Sequence, residues 1–211
     1  MTYEQTLSMF IDGLEKSRLN AINLKDDGDL LFQNNRYNRA LALYQLSFEE
    51  TGRFFLIHKL LLRHAFGFIS DDQFSFDYIK KEYRKHDSRD DSTWKGIQDS
   101  IKIGTETMQK LLIHDEDPKD LLELINTFKK MKLRMAKARE TFSSFPDYKN
   151  ESLYVEFKGY QFNQPRIMKY QAETYQEKAQ SGIDAMDFTK GIIDDFGGYG
   201  GLKKSVDQNE F

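Results

Sequence analysis

The sequence contains no cysteine, which excludes disulfides, thiolate nucleophiles and Cys-ligated zinc and suits a reducing cytoplasm. Proline is scarce at 3 residues and glycine modest at 13, which argues against a turn-rich β fold and for helices. Long hydrophobic runs are missing too. The most apolar region, Phe54 to Leu62, is interrupted by His58 and Lys59 and is far short of the roughly 20 residues of a membrane helix. The opening MTYEQTLSMF lacks the basic segment and apolar run of a secretory signal, so neither export nor a membrane span is expected. With 31 Lys plus Arg against 34 Asp plus Glu, the net charge of −3 does not suit a general polyanion binder, and any nucleic-acid site would be local.

Some chemistry-bearing motifs are absent as well. There is no Glu-x-x-His pair of the helical di-iron kind and no His-Glu-x-x-His, while GGYGG near the C-terminus follows no strand and is not followed directly by the Lys-Ser/Thr signature. No metal and no cofactor are expected.

What is present is helical periodicity. Leu7, Phe10, Ile11, Leu14, Leu19, Ile22, Leu30 and Leu31 mostly keep helical spacing from Glu4 to about Asn34, with KDDGD as a soft point, so one long helix or two in series are expected. QNNRYN reads as a turn, and a second helix should run from about Tyr37 to Phe68. A shorter helix holding Tyr78, Ile79 and Tyr83 follows SDDQFSFD, and Ser92 or Thr93 is expected to cap another through Ile97, Ile101 and Leu111. After Pro118, Leu121, Leu124, Ile125, Phe128, Met131, Met135 and Phe142 share one helical face. LYVEFKGYQFNQP alternates and carries β-prone residues, and a last helix should start near Pro165 and stop at FGGYGG. The expectation is an all-α, antiparallel helical bundle with a small extended or hairpin insertion near residues 152–163. Residues 1–196 then form one helical domain, and 197–211 a flexible C-terminal tail with little to bury.

Within the second helix, LSFEETGRFFLIHKLLLRH sets two carboxylates, a glycine and an arginine in apolar surroundings. Glu49 and Arg53 are four apart and Glu50 and Arg53 three apart, so both carboxylates can approach one guanidinium. Desolvation makes such pairing necessary, and Arg18, Arg36 and Arg39 are further candidate partners. On this reading Glu50→Ala leaves Arg53 buried and under-paired. Gly52 costs about 1 kcal/mol against Ala in a helix, which suggests close approach of another helix or a ligand. A bundle-core salt bridge and a functional pocket both fit these residues.

NRYNRALALYQLSFEETGRF resembles the signature of the AbiV family of abortive-infection proteins, with Glu49, Glu50, Gly52 and Arg53 on its Glu-Glu-x-Gly-basic core. ESLYVEFKGYQFNQP, with Tyr154, is similar to a second segment of that family, and NAINLKDDGDLLFQNNRYNRA adds a third likeness. The resemblance spans about residues 15 to 175. It implies a HEPN-like bundle in a bacterial cytoplasm, a homodimer, and a role in halting infected cells through translation or RNA after a phage-encoded protein acts as trigger or target. Where the family commonly has Lys, this chain has Arg53, which keeps the charge and changes the hydrogen-bonding geometry.

HEPN ribonucleases carry Arg, four to six residues, then His, and RFFLIH puts Arg53 and His58 at that spacing. Arg would steady phosphate charge and His would move a ribose proton without metal. On a straight helix, however, five steps turn the side chain by about 140°, so the two should diverge. A structural histidine is the alternative. His86 in YRKHDSRDD is the other candidate, with Arg84, Lys85 and Arg89 as phosphate contacts or as a solvated helix end. Lys130 and Arg134, within KKMKLRMAKAR, offer RNA contact or simply shield an apolar stripe. A non-enzymatic helical protein that binds and sequesters a phage or host protein is the second functional reading.

Overall fold

The computed structural model describes residues 2–77, 80, 90–111, 119–142, 156–158, 161–163 and 166–208. Among them are six helices: α1 (Tyr3–Gln33), α2 (Tyr37–Ala65), α3 (Asp90–Leu111), α4 (Lys119–Phe142), α5 (Lys169–Asp195) and α6 (Gly198–Gln208). Two short strands, β1 (Glu156–Lys158) and β2 (Gln161–Asn163), pair antiparallel with Phe157 opposite Phe162, which is the hairpin that the alternating pattern predicts. The expected helix around Tyr78, Ile79 and Tyr83 falls outside the described residues apart from the helical positions Phe76, Asp77 and Lys80.

Helix α1 is continuous. Thr2 caps it, its side chain accepting from the Gln5 amide while Gln5 answers on the Thr2 amide. The soft point KDDGD does not break it: a Cβ on Gly28 would lie 2.6 Å from the Tyr44 ring, so the glycine is a notch for that ring. Beside the notch, Asp29 accepts from Tyr44 Oη (2.8 Å), Gln176 Nε2 (2.6 Å) and Lys25 Nζ (2.6 Å), and these bonds hold its carboxyl below the usual range although burial pushes it up.

Helix α2 is the axis of the molecule. Of its 29 residues 20 are buried, against 5 of 31 in α1, because α1, α3 and α5 all pack on it. Ser47 Oγ donates to the Ala21 carbonyl across the α1 contact (2.7 Å), and Ser100 Oγ to the Phe55 carbonyl across the α3 contact (3.3 Å). Contacts pair Gly28 with Tyr44 and Gly13 with Ile57, so α1 and α2 run in opposite directions. The ascending pairs Asn38–Ile167 and Thr51–Gly182 make α5 run with α2, and Trp94–Phe142 and Gln98–Arg139 set α4 against α3. Leu14, Phe48, Phe54, Phe55, Trp94 and Met186 lie in one continuous core around this axis.

Two expectations need correction. Neither Ser92 nor Thr93 caps α3: both lie inside Asp90–Leu111, and Thr93 is buried there, facing Gly52. The stretch after Gly197 has more to bury than expected: Gly198–Gln208 forms α6, with Tyr199, Leu202 and Val206 buried. Gly197 and Gly198 adopt φ of +73° and +83°, a left-handed pair that only glycine takes without strain. Together they reverse the chain so that α6 turns back onto α2.

Candidate functional site

Glu49 and Glu50 are both buried on α2, whereas the Arg53 side chain keeps 44% of its exposure. Arg53 Nη1 donates to Glu50 Oε1 one helical turn away, and the Asn20 side chain of α1 is a second hydrogen-bond partner. Burial nevertheless wins, and the Glu50 carboxyl sits above its ordinary pKa, with Arg53 and Asn20 pulling it back. The pair is therefore asymmetric, and removal of a partner strands the carboxylate rather than the guanidinium. The expectation that Arg53 would be left buried is overturned by its exposure. Arg18, offered as a further partner, is engaged elsewhere, donating to Asp187 (2.7 Å) and Glu15 (3.1 Å).

Gly52 answers its own question. A Cβ there would stand 2.4 Å from Thr93 Oγ1 and 3.3 Å from Thr93 Cα, so α3 crosses α2 at backbone distance beside the carboxylates. Thr93 Oγ1 has no hydrogen-bond partner among the described residues. Gly182 of α5 does the same on another side, where a Cβ would meet Thr51 Oγ1 at 2.7 Å. The Glu49–Arg53 segment thus lies where α2 is gripped from two directions.

His58 is enclosed. Its ring packs on Phe54 and Phe55, and Nδ1 lies 2.5 Å from Tyr199 Oη of α6. Desolvation lowers its pKa from 6.5 to about 3, and burial pushes the Tyr199 hydroxyl well above its ordinary value. Both groups are neutral at pH 7. With the imidazole proton on Nε2, the Tyr199 hydroxyl donates to Nδ1. Arg53 at the surface and His58 in the core do not converge, in line with the rotation expected from their spacing.

The other nominated residues divide. Lys130 and Arg134 are exposed on α4 and flank a groove of about 360 Å³ against α5, with Met131, Met135 and Phe188 along it. His86, Arg84, Lys85, Arg89 and Tyr154 lie outside the described residues. Among the described residues, no three side chains of metal-ligating type cluster.

Two buried polar groups escaped the sequence reading. His64 Nε2 is 2.9 Å from Asp71 Oδ1, which lies 3.6 Å from Lys203 Nζ, so the end of α2 is tied to α6. The His64 bond, more than Lys203, holds the Asp71 carboxyl below the ordinary range. Lys178 of α5 is buried with Nζ over the rings of Phe48 (4.8 Å) and Tyr175 (5.0 Å). Nothing in QEKAQ distinguishes it from a surface lysine. For His64 the apolar run around it was a signal.

No helix among the described residues is long and apolar enough to cross a membrane. No curated protein and no solved structure matches the chain. The family model described as AbiV, of the HEPN type, matches residues 9–180, from α1 through the hairpin and into α5, including the whole Glu49–Arg53 segment. A helical bundle with a small hairpin, matched over most of its length, places this chain in the AbiV family of HEPN proteins.

Proposed function

We propose that this protein is a bacterial, cytoplasmic abortive-infection effector that blocks phage multiplication by shutting down translation or degrading RNA after a phage-derived trigger, and that it works as a homodimer. The observation that carries the reading is the family match across residues 9–180, which includes Glu49, Glu50, Gly52 and Arg53. Membership supplies the role in infection. The conformation supports a resting form of such an effector: Arg53 is available at the surface, while His58 is a neutral imidazole held in the core. A metal-independent ribonuclease would use Arg53 on phosphate and a histidine, His58 or His86, for proton transfer. Dimerisation or a change of conformation would have to bring them together.

The second reading, a non-enzymatic protein that sequesters a phage or host protein, is favoured by one specific observation, the enclosure of His58 behind Tyr199. The test follows RNA integrity and protein synthesis in bacteria expressing the chain, with and without phage. It compares wild type with Arg53→Ala, His58→Gln and His86→Ala, each checked for folding. RNA breaks that precede translation arrest and vanish in a folded variant support the nuclease. Arrest with intact RNA in every variant supports sequestration. Expression without any change in phage yield overturns the effector reading itself.

A further inference from the structure

Helix α6 was expected to be a loose tail, yet it carries the hydroxyl that closes His58. It is the shortest helix among those described, 11 residues, and only Tyr199, Leu202 and Val206 are buried on it. Its connection to α5 is the left-handed Gly197–Gly198 pair, and a Cβ on Gly201 would fall 1.9 Å from the Phe196 carbonyl oxygen, so the reversal depends on glycine on both sides of Tyr199. A cavity of about 340 Å³ opens beside this hinge, bordered by Ile11, Leu14, Ile193, Gly198 and Tyr199, so open space adjoins the turn. The outer part of α6 is held at the surface by one polar contact to another element, Lys203 to Asp71 (3.6 Å), while the pair Lys203–Asp207 (3.3 Å) lies within α6 itself. The family match ends at residue 180, before α6 begins.

Few buried side chains, a glycine hinge and an adjoining space are the marks of an element that opens separately from the core it covers. We propose that α6 is a strap that covers His58 when closed and swings away about Gly197–Gly198, uncovering the imidazole while α1, α2, α3 and α5 stay assembled. The proposal rests on the reading of His58 as a functional group only for its biological meaning; the opening itself is independent of it. With the strap closed, Tyr199 occupies Nδ1 and the ring is out of reach of substrate. With it open, His58 regains water and the ordinary proton affinity of an imidazole.

The test uses the full chain and two readouts that do not depend on activity. Amide hydrogen exchange compares α6 with the centre of α2, and diethylpyrocarbonate labelling of His58 is followed by mass spectrometry, in wild type and in Leu202→Ala, which removes the most deeply buried side chain of the strap. Amides of α6 are expected to exchange at least about tenfold faster than those of α2, and Leu202→Ala to raise His58 labelling by about tenfold or more with α2 exchange unchanged. Exchange of α6 in step with α2, or His58 labelling that does not respond to Leu202→Ala, overturns the strap. If labelling rises while RNA and protein synthesis in cells expressing Leu202→Ala match wild type, the strap stands and the functional reading of His58 falls.

Discussion

Two polar stations stand on α2 within ten residues of each other, and they solve burial in opposite ways. At Glu50 a carboxylate stays beside a guanidinium that remains partly in water, and the bond lies along one helix. At His58 the ring sheds its charge and takes a hydroxyl from a helix 141 residues away in sequence. The difference follows from the intrinsic pKa. A carboxyl of ordinary pKa near 4 is ionised at neutral pH unless its environment moves it several units, so it keeps a cation close; an imidazole near 6.5 is discharged by modest desolvation. The first station therefore depends on local charge, and the second on the packing of a distant element.

The strongest way to break the comparison is His58→Ala, which removes a core ring and leaves the Tyr199 hydroxyl unpaired. A loss of about 3 kcal/mol is expected in urea unfolding at pH 7, and a loss under about 1 kcal/mol would contradict the packed station. Next comes Gly52→Ala, which drives a methyl into Thr93; about 2 kcal/mol should be lost, and Thr93→Ala in the same chain should restore part of it.

Acid titration sharpens the contrast further. Because the folded pKa of His58, about 3, lies below the unfolded 6.5, its contribution to stability is complete above pH 6.5 and falls as pH drops towards 3, by up to about 1.4 kcal/mol per pH unit. His58→Gln should flatten that slope between pH 6 and 5 in thermal unfolding. The smallest effect belongs to Arg53→Ala, under about 1 kcal/mol at pH 7 because the guanidinium is partly solvated. Glu50 has the opposite sign of shift: its folded pKa is raised, so its ionised form is what destabilises, and the penalty fades as pH falls through that pKa. The cost of Arg53→Ala should disappear on acidification. A variant equally destabilised at low pH would show that Arg53 acts through packing instead.

Local rules made much of this legible. Period-3.6 patterns located α1, α2 and α4, because each helix turns one apolar stripe to a common core, although α2 ends at Ala65 and not near Phe68. Gly52 announced a close neighbour and Thr93 is that neighbour, although its identity needed the fold. The direction of α5 relative to α2 was not legible, since long connections can return a chain to either end. Helix α6 was misread because GGYGG suggested looseness. The signal was there in Tyr199, Leu202 and Val206, spaced three and four apart, but an 11-residue helix declares itself only when something exists for it to pack on. For His58 the spacing to Arg53 was visible, while its enclosure depends on Tyr199 and could not be read locally.

The separation of His58 from Tyr199 also has a meaning in time. During synthesis at roughly 5–20 residues per second, about 7 to 28 s pass between the addition of the imidazole and of the hydroxyl that covers it, 141 residues later. Throughout that interval the chain lacks the closing hydroxyl, so each newly made molecule passes through a stage on the ribosome at which Tyr199 does not yet exist to occupy Nδ1 of His58.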